Sequence, residues 1–105
     1  MSIYAVVNPA TGETLATYPT MTDAEATAAI AAADDAYRTW GRTSAPAERA
    51  ELVRRAAQLH RERRGELAEI IVREMGKPIG DALGEVDFSA DIYQYYADHG
   101  PELLE

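Results

Sequence analysis

Two short stretches near the start of the chain are rich in β-branched and aromatic residues. Residues 3–7 read Ile-Tyr-Ala-Val-Val, and residues 14–18 read Thr-Leu-Ala-Thr-Tyr before Pro19. The segment between them, Asn8-Pro9-Ala10-Thr11-Gly12-Glu13, holds a proline that fixes one φ angle and a glycine that tolerates a positive one. The pattern predicts a β-hairpin over about residues 3–19. A lone two-stranded hairpin is marginal in water, so we expect it to pack against another part of the protein.

The next stretch has the three- and four-residue apolar spacing of an amphipathic helix. Thr22 and Glu25 fit a capping box, in which the threonine side chain and the glutamate side chain each bind the other's backbone amide. The spacing predicts a helix over about residues 23–40, ended by Gly41. Its apolar face comprises Ala26, Ile30, Ala33, Tyr37 and Trp40. Aromatic residues on such stripes usually lie in the core, so Trp40 is interpreted as a packing anchor rather than a ligand contact.

A second helix is predicted over about residues 46–75. Pro46 suits its first turn, where a missing N–H group costs least, and Gly76 with Pro78 should end it. Gly65 costs about 1 kcal/mol relative to Ala inside a helix, which makes it the place where this helix would bend or break. The predicted buried face comprises Leu52, Ala56, Leu59, Leu67, Ile70 and Ile71.

A third helix is predicted over about residues 80–99, ended by Gly100-Pro101. Its main apolar face comprises Leu83, Val86, Ala90, Tyr93 and Ala97, with Ile92 and Tyr96 beside it. No repeat or domain boundary interrupts the pattern. The chain as a whole, residues 1–105, is therefore predicted to be one segment, an N-terminal β-hairpin followed by three α-helices.

Composition limits what this segment can do. At 105 residues the chain is long enough for one domain, but much of its 47% hydrophobic content is alanine, so any core it builds alone should be thin. A net charge of −8 argues against nucleic acid and anionic membrane surfaces as partners, and no apolar run is long enough to span a bilayer. With no cysteine there can be no disulfide or thiolate metal site. The cytoplasm is the expected location, and nine Arg against one Lys is typical of a GC-rich bacterial source.

Few side chains suggest chemistry. His60 and His99 have no second ligand at metal-binding spacing, so both are expected to face solvent on their helices. Asp34 and Asp35 are expected to be solvated. The glycines at 76, 80 and 84 follow a helix rather than a strand and match no phosphate-binding spacing, so they are interpreted as helix punctuation. From the residues alone, no catalytic, cofactor-binding or metal-binding position is assigned.

Several short motifs nevertheless occur in a distinctive order: Asn8 to Glu13, Trp40, Ala47-Glu48-Arg49 with Leu52 and Leu59, Glu74-Met75-Gly76-Lys77-Pro78, Gly84-Glu85-Val86, and Tyr95-Tyr96-Ala97. In this order and spacing they resemble the opening segment of the NAD(P)-dependent aldehyde dehydrogenase family. Met75 in Glu-Met-Gly-Lys, together with the Tyr-Tyr-Ala-Asp sequence and the Leu-Leu-Glu tail, is most similar to the succinate-semialdehyde dehydrogenase group.

The resemblance implies an α/β fold in the intact family and oxidation of an aldehyde to an acid with NAD or NADP. In that family a cysteine thiolate attacks the aldehyde, a hydride passes to the cofactor, and a glutamate-activated water releases the acid. The nucleophile, base and cofactor residues belong to segments that this chain does not match, so none is carried over. Tyr95 and Tyr96 lie, by resemblance, on a helix near the substrate tunnel, where a packing role is favoured for both.

Two functional hypotheses follow. In the first, the chain is the N-terminal segment of a dehydrogenase subunit, catalytically incomplete and without cofactor alone, whose partner is the remainder of that subunit in a homo-oligomer. The isolated chain would then expose apolar patches and be molten, self-associated or partner-bound. In the second, it is a small standalone helical module that binds a protein partner through its apolar stripes.

Overall fold

A computed structural model describes residues 3–105 and begins with an antiparallel hairpin, as predicted. Strands β1 (Ile3–Val7) and β2 (Thr14–Pro19) pair with one irregularity between Val6 and Val7. The turn between them is closed by Asn8, whose N–H donates to the Glu13 carbonyl at 2.9 Å and whose carbonyl accepts from Gly12 at 2.8 Å. Gly12 takes a φ of 76°, which explains a glycine at this point of the loop.

Helix α1 (Asp23–Ala36) begins with the predicted capping box. The Glu25 amide donates to Thr22 Oγ1 at 3.2 Å, and the Thr22 amide donates to Glu25 Oε2 at 2.8 Å. The predicted helix over 23–40 is α-helical only to Ala36, because a π-helical turn (Tyr37–Gly41) replaces its last residues. The wider turn is closed by the Arg42 amide, which donates to the Tyr37 carbonyl, five residues back, at 2.7 Å.

The helix predicted over 46–75 is two helices, so the described residues, 3–105, form four α-helices rather than three. Helix α2 (Pro46–Glu62) and helix α3 (Arg64–Met75) are separated by Arg63, whose φ of −104° and ψ of 22° leave the helical range. The break falls beside Gly65, where a bend or break was expected from the low helix propensity of glycine. Gly76 ends α3 with a φ of 74°.

Helix α4 (Ile79–Leu103) corrects the expectation that Gly100-Pro101 ends the last helix at about residue 99. Pro101 lies inside the helix, and the turn after it is closed by the Leu104 amide, which donates to the Gly100 carbonyl at 3.2 Å. The Ala97 carbonyl, which loses its usual donor to the proline, accepts instead from Arg54 Nη2 of α2 at 3.3 Å.

Helix α4 packs antiparallel against α2 and α3, and the buried residues lie along this seam. In the described part of the chain they number seven, of which six are alanine: Ala50, Ala57, Ala68, Ala82, Val86, Ala90 and Ala97. Alanine allows helices to approach closely but removes little apolar area from water. The structure thus agrees with the expectation of a thin core.

The chain is extended rather than compact. Its radius of gyration is 17.9 Å, whereas a compact domain of this length would have about 13 Å. Among the described elements, only the π-helical turn packs against α1, so Ile30 is 71% exposed and Trp40 51% exposed. The interpretation of Trp40 as a buried anchor is therefore wrong for this chain taken alone, because no other described element reaches its face.

Candidate functional site

The two histidines do not form a metal site. His60 is half-buried, with Nδ1 2.8 Å from the Ala56 carbonyl oxygen and its ring 4.9 Å from that of Tyr93. This corrects the expectation that His60 faces solvent, because α4 packs over that side of α2. His99 is exposed beside Tyr95, with ring centroids 4.6 Å apart. Among residues 3–105, no group of three His, Cys, Asp or Glu side chains is arranged to hold a metal ion.

The acidic pair on α1 is solvated, as expected. Asp34 and Asp35 are both exposed, and the Asp34 carboxylate forms an ion pair at 2.9 Å with Arg38 of the π-helical turn that follows. Exposed pairs at this spacing stabilise a helix by only about 0.3–0.5 kcal/mol. Neither carboxylate lies in a cleft that would adapt it to acid–base work.

The glycine-rich segment after α3 does not fit a nucleotide phosphate. The Gly76 amide is used inside the chain, donating to the Val72 carbonyl at 2.9 Å. Lys77 Nζ pairs with Glu85 at 2.8 Å, so the cation nearest these glycines is already neutralised. The residues described here therefore offer no anion-binding arrangement for NAD or NADP at this segment.

A row of arginine–aspartate pairs crosses from α2 and α3 to α4. Its members are Arg54 with Asp98, Arg61 with Asp91, and Arg64 with Asp87. The Arg64 pair is bidentate, at 2.6 and 2.8 Å. We call these three pairs the ionic row. Hydrogen bonds from Arg64 lower the pKa of Asp87, and those from Arg54 and Gln94 lower the pKa of Asp98.

Sequence reasoning missed the ionic row. Its signal was present, because the arginines at 54, 61 and 64 nearly mirror the aspartates at 98, 91 and 87, with steps of about seven and three residues against about seven and four. Such mirrored spacing is what two antiparallel helices require, but it is informative only once α2, α3 and α4 are known to be neighbours.

One apolar surface lies on the side of α4 that faces away from α2 and α3. It consists of Phe88, Ile92, Tyr95 and Tyr96, which are 66%, 43%, 52% and 56% exposed. We call it the α4 apolar face. With Asp91 these side chains line an open depression of about 390 Å³. The packing role expected of Tyr95 and Tyr96 is not fulfilled within this chain, where their rings contact each other edge to face at 5.2 Å.

A second apolar surface runs along α1 and onto α2. It consists of Ile30, Tyr37, Trp40 and Leu52, and Leu52 is 61% exposed. We call it the α1 apolar face. Trp40 and Leu52 border a depression of about 450 Å³ whose other walls are polar. The expected buried position of Leu52 on α2 is therefore also not met within this chain.

A polar contact links the start of α2 to the loop that precedes it. Arg49 Nη1 donates to the Ser44 carbonyl at 2.5 Å, to Ser44 Oγ at 3.1 Å and to the Gly41 carbonyl at 3.3 Å. Through these bonds α2 holds the loop that joins it to the π-helical turn.

No helix within residues 3–105 has both the length and the apolar character needed to cross a bilayer. The described residues leave the two apolar faces uncovered, so these are the surfaces whose function needs an explanation. Each face groups several exposed apolar and aromatic side chains, whereas the apolar residues of an ordinary protein surface are scattered singly.

Comparison with known proteins shows the origin of this arrangement. The sequence model described as "Aldehyde dehydrogenase family" matches residues 2–105. The chain is 50% identical over 102 residues to succinate-semialdehyde dehydrogenase [NADP(+)] of Deinococcus radiodurans, covering 97% of this chain and 21% of that protein. It is 40% identical over 99 residues to an Escherichia coli succinate semialdehyde dehydrogenase [NAD(P)+], with 94% and 21% covered.

Solved structures agree with the sequence relatives. The succinic semialdehyde dehydrogenase of Streptococcus pyogenes, solved with NADP+ as the cofactor, superposes with a TM-score of 0.90 at 36% identity. That match covers 97% of this chain and 22% of the other. The chain thus spans about a fifth of the length of the relatives it matches. These findings do not favour the standalone module, and they show that the chain belongs to the aldehyde dehydrogenase family, as its N-terminal segment.

Proposed function

We propose that this chain is the framework segment of an NAD(P)-dependent dehydrogenase that oxidises succinate semialdehyde to the dicarboxylic acid. In this role the α1 and α4 apolar faces are covered by the remainder of the subunit. The observation that carries the proposal is the exposure of these two faces in a chain whose whole length matches the family. The relatives named succinate-semialdehyde dehydrogenase support the substrate class, and their names support NADP or either cofactor.

The energetic argument rests on the contrast between what is buried and what is exposed. The seven buried residues supply only alanine and one valine, while large side chains such as Ile30, Trp40 and Phe88 stay in water. Burying one large apolar side chain stabilises a protein by about 1.5–3 kcal/mol. Covering both faces would therefore add substantially to what the internal seam supplies, so the segment is suited to fold on a larger body.

The chemistry of aldehyde oxidation must come from that larger body. The chain contains no cysteine, and covalent catalysis requires a nucleophile that a base or a lowered pKa can activate. The chain's own residues build packing surfaces and helix ends rather than a reacting centre. We infer a cytoplasmic, homo-oligomeric bacterial enzyme as the setting, supported by the Arg- and Ala-rich composition and the bacterial relatives.

Fragment complementation tests the proposal. The 105-residue chain is mixed with the part of the Deinococcus radiodurans relative that lies beyond the matched segment. We expect a complex by size-exclusion chromatography and NADPH formation with succinate semialdehyde, whereas the chain alone should give none. NADPH formation by the purified chain alone would refute the framework role.

Two variants sharpen this test. Trp40→Asp places a charge in the α1 apolar face and should abolish both the complex and the activity. Ala28→Asp places the same charge on the opposite, exposed side of α1 and should leave both unchanged. Equal effects of the two variants would show that the α1 apolar face is not the covered surface.

A further inference from the structure

Pro101 lies where a helix should end. A proline inside a helix has no N–H group for the carbonyl four residues earlier, and its ring crowds that same carbonyl. For Pro101 the affected group is the Ala97 carbonyl. Nevertheless α4 extends to Leu103, and the Leu104 amide still donates to the Gly100 carbonyl at 3.2 Å.

The Ala97 carbonyl receives a replacement donor from another helix. Arg54 Nη2 donates to it at 3.3 Å, across 43 residues of sequence. Ala97 is only 2% exposed, so water has little access to take the place of this bond. A buried carbonyl without a partner is destabilising, which makes the identity of its donor important.

Asp98, the residue after Ala97, binds the guanidinium group of Arg54 and holds it in position. Its Nη1 atom pairs with the Asp98 carboxylate. Gln94 Nε2 binds both oxygens of the same carboxylate, at 3.1 and 3.2 Å. The two nitrogens of Arg54 therefore bind successive residues of α4, one through its side chain and one through its backbone.

We propose that Arg54 supplies, from α2, the hydrogen-bond donor that Pro101 removes from α4, and so keeps the last turn of α4 helical and packed on the start of α2. That turn carries Leu104, which lines a cleft of about 130 Å³ together with Pro46 and Val53 of α2. Arg54 is a positioning residue, because it fixes the direction in which the chain leaves α4. The proposal rests on contacts within the chain and is independent of the dehydrogenase role.

A double-mutant cycle tests the proposal in the 105-residue chain. Arg54→Met should remove the helical carbon chemical shifts at residues 101–103 and speed hydrogen exchange of the Leu104 amide about fivefold, the effect of losing one net hydrogen bond. Pro101→Ala restores an N–H group to the helix itself. In the double variant the shifts should return and the exchange rate should fall back to that of the parent chain.

Matched variants separate this role from a simple ion pair. Arg61→Met removes an arginine that binds only the side chains of Asp91 and Gln94, so it should leave the last turn intact. Asp98→Asn keeps an oxygen acceptor for Arg54 and should retain the helical shifts. The proposal is overturned if Arg61→Met frays the turn equally, if Pro101→Ala does not rescue Arg54→Met, or if the parent chain has no helical shifts over residues 101–103.

Discussion

The pyrrolidine ring of Pro9 lies against Gly76, so close that a β-carbon on Gly76 would come within 3.0 Å of Pro9 Cγ. Pro9 belongs to the hairpin turn and Gly76 to the end of α3. The two family motifs that contain them, separated by more than half the chain, are therefore one contact in space. This contact, together with the packing of β1 on α3, gives the hairpin the support that an isolated pair of strands lacks.

We expect Gly76→Ala to destabilise the chain by about 1–3 kcal/mol. The φ of 74° at Gly76 is unfavourable for any residue with a β-carbon, and the added methyl group would also press on Pro9. Urea unfolding followed by helical ellipticity measures the effect.

Gly65→Ala is the matched control for this substitution. A β-carbon there meets no atom within 4 Å, and its φ is not positive, so the change should stabilise α3 by about 0.5–1 kcal/mol. Adding Pro9→Ala to Gly76→Ala should recover only part of the lost free energy of unfolding. The recovered part is the one that comes from the contact between Pro9 and the added methyl group. A neutral Gly76→Ala would contradict both the cost assigned to the positive φ and the close contact with Pro9.

We expect the ionic row to make the free energy of unfolding decrease in acid. The pKa values of Asp87 and Asp98 are lowered in the folded chain by their arginine partners. A group with a lowered folded pKa stabilises the fold above its unfolded value, about 3.9 for Asp, and this contribution is lost as pH falls through the folded value. We expect a loss of the free energy of unfolding below about pH 4, with Glu25 of the capping box acting in the same direction.

Asp87→Asn tests the sign of this effect. The variant should lose stability at pH 7 and approach the parent chain as the pH falls, and added salt should narrow the difference at pH 7 because these pairs are partly exposed. Asp35→Asn removes the same charge from α1 without removing a partner of Arg64, so its difference from the parent should stay small throughout. A constant deficit for Asp87→Asn from pH 7 to 2 would contradict the assignment.

The parts of the fold that the sequence predicts are those set by neighbours along the chain. The capping box of Thr22 and Glu25 and the stop at Gly76 follow from local backbone chemistry, and both are confirmed. The predicted hairpin is also confirmed, because its turn depends on backbone hydrogen bonds of Asn8 and Gly12, which are close together in the sequence. The family could be named from the order of the motifs, whereas the roles of the individual motif residues in a complete subunit remain predictions.

The parts that sequence reasoning missed depend on residues far away along the chain. The local sequence predicts that Pro101 ends the helix. That prediction takes no account of Arg54, which lies on another helix and donates to the Ala97 carbonyl. The apolar helical stripe predicts that Trp40 is a buried anchor. In the described residues no element covers its side chain. In both cases the local pattern was interpreted without the long-range partner that decides its outcome.

Arg49 should govern the mobility of α1. Its three hydrogen bonds to Gly41 and Ser44 link α2 to the loop that carries α1, which packs on no other described element except the π-helical turn. We expect Arg49→Met to lower the fluorescence anisotropy of Trp40, the single tryptophan, because α1 would reorient more freely.

Arg55→Met is the control for Arg49. The Arg55 guanidinium binds Gln58 and Glu62 of its own helix, so its loss should leave the Trp40 anisotropy at the parent value. The helical content measured by ellipticity should remain similar in both variants, because the buried residues of the seam between α2 and α4 are unchanged. If Arg49→Met leaves the anisotropy unchanged, the direction of α1 is set by the π-helical turn alone.

The alanine seam should tolerate little added volume. Ala57 of α2 is fully buried, in a seam where the helices approach through small side chains. Ala57→Leu adds three carbons at a fully buried position, so the helices must separate or the side chain must leave its preferred rotamer. We expect a loss of about 1–3 kcal/mol in the free energy of unfolding. Ala47→Leu, on the exposed side of the same helix, should change it by no more than about 0.5 kcal/mol. Equal urea midpoints for the two variants would mean that the helices are not held together by this seam.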